Sequence, residues 1–117
     1  MRLFICVMKL LQAYVIQGDV PSAYLNGRLE EAVYLYLPEG HEEKNKEDSR
    51  VYKCPSSLYG LAVSGRVWYM TFVNKVKQFG FKPLLRAPTM FVKEEEGKYA
   101  YMQLYVDDFL LGSQDLM

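Results

Sequence analysis

Apolar residues near the N-terminus recur at helical spacing and then change to the pattern of a strand. Five of them share one face of an amphipathic helix, at offsets 0, 4, 7, 8 and 11: Leu3, Val7, Leu10, Leu11 and Tyr14. A β-branched run over residues 14–20 stops before Pro21, which predicts a strand. Alternation along that strand places Val15, Gln17 and Asp19 on one face.

Two short strands are predicted next. Residues 33–37 alternate between aliphatic and tyrosine side chains, and residues 51–54 provide a short return strand. The segment between them, residues 41–49, is polar and acidic, so we expect an exposed loop there.

The second helix has the clearest pattern in the chain. Its apolar face comprises five residues: Tyr69, Phe72, Val73, Val76 and Phe79. The helix is predicted to begin between Tyr59 and Arg66, with Ser64 as a candidate cap, and to end at Gly80.

Three further strands complete the pattern. They are predicted over residues 90–93, 99–106 and 109–112, and a hairpin loop at 94–97 joins the first two. The order of elements is therefore α, β, β, β, α, β, β, β. This order predicts an α+β domain with a mainly antiparallel sheet.

Composition excludes several classes of protein. The 117 residues fit one domain or part of one, and 50% hydrophobic with 15% aromatic residues excludes a disordered chain. Cys6 and Cys54 form no C-x-x-C pair, so neither a disulfide framework nor a zinc knuckle is predicted. An intracellular location, cytoplasmic or nuclear, is the default for such a chain. His41 is the only histidine, which disfavours a histidine-based nucleophilic site.

Charge is segregated along a chain whose net charge is zero. Residues 49–93 contain eight basic and no acidic residues, so the flanking segments together carry the opposite charge. This segment is either a chance run of solvated cations or a surface for a polyanion beside a separate carboxylate cluster. Charge alone favours neither alternative.

The N-terminal apolar run has some features of a secretion signal. Lys9, Gln12 and Tyr14 interrupt it, and it is shorter than the roughly 20 apolar residues that span a bilayer. We therefore expect no membrane association and no secretion. A small secreted α+β protein stays a minor alternative.

Two adjacent carboxylates, Asp107 and Asp108, stand between apolar runs, where a hairpin turn would favour Asn-Gly or Asp-Gly. Close carboxylates repel one another unless protons or a cation compensate them, and Mg²⁺ prefers oxygen ligands. Asp19 ends another apolar strand and is a candidate third ligand of a two-metal site for phosphoryl transfer. From the spacing alone, a solvated turn and an unrelated strand-end aspartate fit slightly better.

An ordered set of motifs resembles the reverse transcriptases of copia-type retrotransposons. Tyr105-Val106-Asp107-Asp108 resembles their Tyr-x-Asp-Asp box, and residues 19–27 (DVPSAYLNG) resemble their first palm motif. Residues 57–61 (SLYGL), followed by Arg66 and Trp68-Tyr69, are similar to a later motif. The resemblance covers residues 2–115. It departs from the family at residues 61–66, where LAVSGR replaces the usual Leu-Lys-Gln-Ala-Pro-Arg, and at residues 87–90.

The resemblance implies a polymerase palm, with an antiparallel sheet and helices on one face. Asp19, Asp107 and Asp108 would be the catalytic residues and would bind two Mg²⁺ ions, for which Mn²⁺ can substitute. The Val20 carbonyl would complete the metal shell. Tyr24 would be the aromatic gate that crowds a ribose 2′-hydroxyl. Tyr59 and Gly60 would lie against the incoming nucleotide and the template, with a plain core role for Tyr59 as the alternative. Trp68 is expected in the core.

The implied activity is RNA-directed DNA synthesis. The implied partners are an RNA or DNA template with a DNA primer, and a deoxynucleoside triphosphate. On this view residues 1–117 are a partial palm without fingers, thumb or RNase H domain, and the isolated chain is expected to be inactive. A relic that binds nucleic acid without catalysis is the main alternative.

Overall fold

Two α-helices, one 3₁₀ helix and seven strands make up the part of the chain that the computed structural model describes, residues 1–41 and 50–115. In chain order the elements are α1 (Arg2–Leu10), β1 (Tyr14–Asp19), a 3₁₀ helix (Ala23–Asn26), β2 (Tyr34–Tyr36), β3 (Val51–Lys53), α2 (Ser64–Lys77), β4 (Lys82–Leu84), β5 (Ala87–Glu95), β6 (Lys98–Tyr105) and β7 (Asp108–Ser113). The α+β class predicted from the sequence is confirmed.

The main sheet has five strands in the order β1-β7-β6-β5-β4, and every neighbouring pair is antiparallel. Strands β2 and β3 form a separate two-stranded ribbon. The sequence pattern missed β4, because its three residues include Pro83 and are too short to show alternation.

Tight turns join β5 to β6 and β6 to β7. Glu96 and Gly97 both have positive φ, 51° and 78°, as in the type I′ turns that suit hairpins. The predicted hairpin at 94–97 is therefore confirmed, and only its two central residues lie outside the strands.

Helix α2 covers one face of the sheet and forms the main core with it. Its buried side chains meet apolar residues of β5 and β6 in one cluster that includes Trp68, Phe72, Val76, Phe91, Met102 and Leu104. Trp68 and Phe91 are both in edge-to-face contact with Phe72, at ring-centroid distances of 5.6 and 5.7 Å. Burial of Trp68 confirms its predicted place in the core.

Helix α1 lies on the face of the sheet opposite to α2. Leu111 packs against the α2 cluster, and its neighbour Gly112 must face the other way. A Cβ on Gly112 would collide with Met8 and approach Phe4, so these two buried α1 residues cover the second face. The expectation of helices on one face is therefore wrong for α1.

The structure corrects two sequence predictions about the ends of helices. Helix α1 stops at Leu10, before the predicted face reaches Tyr14, and Gln12 has a positive φ of 52°. Ser64 is not a cap, because its hydroxyl donates to the Leu58 carbonyl.

The predicted acidic loop at 41–49 falls outside the described residues apart from His41. Neither described helix is long and apolar enough to cross a membrane.

Candidate active site

Asp19 and Asp108 are brought together by the pairing of β1 with β7, in which their Cα atoms are direct partners. The next pair along is joined by a hydrogen bond of 2.9 Å from the Val20 N–H to the Asp107 carbonyl. Asp19 and Asp108 therefore occupy a non-hydrogen-bonded position, where facing Cα atoms are about 4.5 Å apart. Their side chains emerge on the same face, so two carboxylates converge at this end of the sheet.

Val106 and Asp107 form a two-residue hairpin loop between β6 and β7. We call these two residues, together with Asp108 at the start of β7, the carboxylate turn. Val106 has a φ of 55°, a left-handed conformation that is a genuine outlier for a β-branched residue. The indole N–H of Trp68 donates to the Val106 carbonyl at 2.5 Å. The strained turn is thus held by two hydrogen bonds, one from Trp68 on α2 and one from Val20, the residue that follows β1.

Tyr24 and Tyr59 form an aromatic pair beside the aspartates. Their ring centroids are 4.4 Å apart with an interplanar angle of 41°. The Ser57 hydroxyl donates to the Tyr24 carbonyl, which fixes the Tyr59 loop against the 3₁₀ helix. Gly60 follows with a φ of 97°, a conformation that favours glycine. The predicted nucleotide-contacting residues are therefore neighbours in space.

The environment of Tyr59 links this pair to the carboxylates. Desolvation raises the pKa of the Tyr59 phenol, and the Asp107 carboxylate raises it further, followed by Tyr24 and Asp19. All of these effects disfavour the phenolate. Tyr59 is 56% exposed, so a neutral hydroxyl is presented to solvent within the electrostatic reach of the aspartates.

The residues at this end of the sheet have the ligand chemistry of a divalent-cation site. Carboxylate oxygens suit Mg²⁺, and Asp19 with Asp108 supplies two carboxylates at adjacent positions. Within residues 1–41 and 50–115, however, no three histidine, cysteine or acidic side chains lie close enough to hold one ion together. Joint ligation by Asp19, Asp107 and Asp108 therefore stays a prediction.

Two polar contacts at the site went unpredicted. The Gln17 amide donates to an Asp108 carboxylate oxygen at 3.4 Å, which partly offsets the repulsion between facing carboxylates. Strand alternation places Gln17 on the same face as Asp19, so the sequence contained a signal from which this contact could be predicted. The hydrogen bond from Trp68 to Val106 joins residues 38 positions apart, and no sequence pattern predicts it.

A cavity of about 280 Å³ lies between α2 and β6, beside the carboxylate turn. Aromatic side chains line much of it, including Tyr24, Trp68, Tyr69 and Tyr105. The basic residues Arg66, Lys75 and Lys77 are exposed on α2, away from its buried face. Their exposure is what the polyanion-binding interpretation of the charge pattern requires.

Comparison with known proteins gives a consistent family. Residues 1–117 match the family described as reverse transcriptase (RNA-dependent DNA polymerase). The chain is 38% identical over 106 residues, 90% of its length, to the retrovirus-related Pol polyprotein from transposon TNT 1-94 of Nicotiana tabacum. It is 34% identical over 99 residues, 85% of its length, to that from transposon RE1 of Arabidopsis thaliana.

A third relative is the truncated transposon Ty1-A Gag-Pol polyprotein of Saccharomyces cerevisiae, 35% identical over 104 residues and 88% of the chain. The matched segments make up only 7–8% of these three relatives. No solved structure gives a significant match. Taken with the ordered motifs, these matches show that the chain belongs to the reverse transcriptase family and is related to the Pol polyproteins of copia-type retrotransposons.

Proposed function

We propose that residues 1–117 are part of the palm of a reverse transcriptase, and that Asp19, Asp107 and Asp108 are its catalytic, metal-binding residues. The observation that carries this proposal is the direct pairing of Asp19 with Asp108 at the carboxylate turn. The proposed activity is RNA-directed DNA synthesis. Two Mg²⁺ ions bound here, or Mn²⁺ in their place, would neutralise phosphate charge and stabilise the attacking and leaving oxygens.

The neighbouring residues would orient the substrates. Val20 directly follows β1 and Asp19, and its carbonyl would be a further oxygen ligand. Tyr24, whose ring contacts that of Tyr59, would crowd the 2′-position of a sugar. Tyr59 and Gly60 would contact the incoming deoxynucleoside triphosphate and the template base.

The proposed partners are an RNA or DNA template and a DNA primer. The exposed Arg66, Lys75 and Lys77 support phosphate contacts. An intracellular location accompanies this function, as in the sequence-based expectation. Because the relatives are much longer than the matched segments, we propose that activity requires polymerase regions outside residues 1–117, which grip the triphosphate and the primer end.

Primer extension tests this function in a complete polymerase. Residues 1–117 would replace the matching segment of the TNT 1-94 relative, and extension would be measured on an RNA template with Mg²⁺. We expect extension that Asp107→Asn lowers by about 100-fold or more, the scale of losing one electrostatic group at a reacting centre. Asp115→Asn is the matched control, since Asp115 pairs with Lys98 and lies beyond the end of β7 that is farther from the turn.

Further arms of the same assay separate the alternatives. Tyr24→Val should admit ribonucleotides better, because it removes the ring that crowds a 2′-oxygen. A chimera that binds primer–template but extends nothing would favour the non-catalytic relic. Extension that is insensitive to Asp107→Asn would contradict the proposed catalytic role. The isolated 117-residue chain serves as the expected inactive reference.

A further inference from the structure

Trp68 is a core residue whose one polar atom points at the carboxylate turn. Its side chain is 5% exposed, and its ring is in edge-to-face contact with Phe72. Because the ring is packed on α2, the direction of its N–H is fixed. That N–H donates to the Val106 carbonyl, 38 residues further along the chain.

The carboxylate turn has a physical need for such a contact. Val106 is held at a φ of 55°, which β-branched residues adopt only when their surroundings enforce it. Its side chain is 37% exposed, so burial of the valine itself supplies little of that constraint. The turn's two carbonyls are instead engaged by donors from separate elements, Val106 by Trp68 and Asp107 by Val20.

We infer that Trp68 is a positioning residue for the carboxylate turn: its indole N–H holds Val106 in the left-handed conformation and thereby keeps Asp108 in register with Asp19. The catalytic consequence rests on the proposed function. The structural consequence does not, because it concerns only the conformation of the turn. A purely structural role for Trp68 predicts that the ring matters and the N–H does not.

Amide hydrogen exchange in the 117-residue chain separates these two roles. The reporter is the Val20 amide, which donates to Asp107, and the reference is the Met102 amide in the sheet core. Trp68→Phe keeps an aromatic ring but removes the donor. We expect the Val20 amide to exchange about three- to tenfold faster relative to Met102, the range expected for one net hydrogen bond.

Val76→Ala is the matched control, because it alters the same core cluster at a residue outside the aromatic contact that holds the Trp68 ring. It should leave the ratio of Val20 to Met102 exchange unchanged. If Trp68→Phe does not fold, replacement of Trp68 by benzothienylalanine removes the N–H from a ring of nearly the same shape. The same ratio in wild type and in this isostere would overturn the inference.

Val106→Gly tests the role of the left-handed conformation. Glycine adopts positive φ without strain, so the Trp68 bond should matter less in this background. We expect the effect of Trp68→Phe on the exchange ratio to shrink, and an undiminished effect would contradict the inference. Since no metal or nucleotide is added, failure of the polymerase proposal would leave these results unchanged, and the two failures are distinguishable.

Discussion

At the scale of single residues, the site is a set of electrostatic neighbours around Tyr59. Desolvation and the Asp107 carboxylate raise the pKa of its phenol. Tyr99, at the other end of the sheet, also has a raised pKa, but there the largest cause is Glu94. The two tyrosines therefore report independently on two ends of the same sheet.

Asp107→Asn should lower the pKa of Tyr59, because removal of a nearby negative charge makes the phenolate easier to form. Desolvation remains in the variant, so the pKa should stay above its ordinary value. The titration can be followed by NMR of tyrosine labelled at the ring carbon that bears the hydroxyl. Glu94→Gln is the control: it should lower the pKa of Tyr99 and leave Tyr59 unchanged. An unaltered Tyr59 titration in Asp107→Asn would show that the two groups are not neighbours.

At the scale of elements, local patterns predicted most of the fold. The apolar face of α2 and the apolar runs of β1, β6 and β7 depend on neighbours in sequence, and these elements form close to the predicted positions. The placement of α1 on the second face depends on Gly112 meeting Met8, a contact between the two ends of the chain that no local pattern encodes. The hydrogen bond from Trp68 to the carboxylate turn also joins residues distant in sequence, so no local pattern predicts it. The proximity of Asp19 to Asp108 is predicted by the family resemblance.

Strand β1 approaches β7 closely at Gly18, where a Cβ would lie 2.3 Å from a ring atom of Phe109. Gly18→Ala should therefore displace the ring and destabilise the domain by about 1–3 kcal/mol, the usual cost of overpacking. Chemical denaturation followed by tryptophan fluorescence measures this, because Trp68 is the only tryptophan.

Gly65→Ala is the matched control for that substitution. A Cβ on Gly65 would meet only the Tyr24 hydroxyl, at an ordinary contact distance of 3.9 Å. In helix α2 the alanine should be neutral or stabilising by up to about 1 kcal/mol. A Gly18→Ala variant as stable as Gly65→Ala would contradict the close approach of β1 to Phe109.

At the scale of the whole molecule, the chain is elongated, with extents of 63 × 24 × 24 Å and a radius of gyration of 19.0 Å. A compact domain of about 100 residues has a radius of gyration near 13 Å. Large apolar side chains are correspondingly exposed, with Leu10 at 83% and Leu85 at 98%. Contact with further polymerase regions, as proposed for this palm, would cover some of these side chains.

We propose that one end of this molecule binds divalent metal through Asp19, Asp107 and Asp108. Mn²⁺ titration followed by paramagnetic broadening of backbone amides tests it across the whole chain at once. We predict that amides at Asp19 and at Asp107 and Asp108 broaden together. Asp107→Asn should weaken this binding by at least about tenfold, since even groups that only orient metal ligands are worth about 10–100-fold. Broadening confined to the acidic segment 42–48, or broadening of one strand end without the other, would contradict the claim.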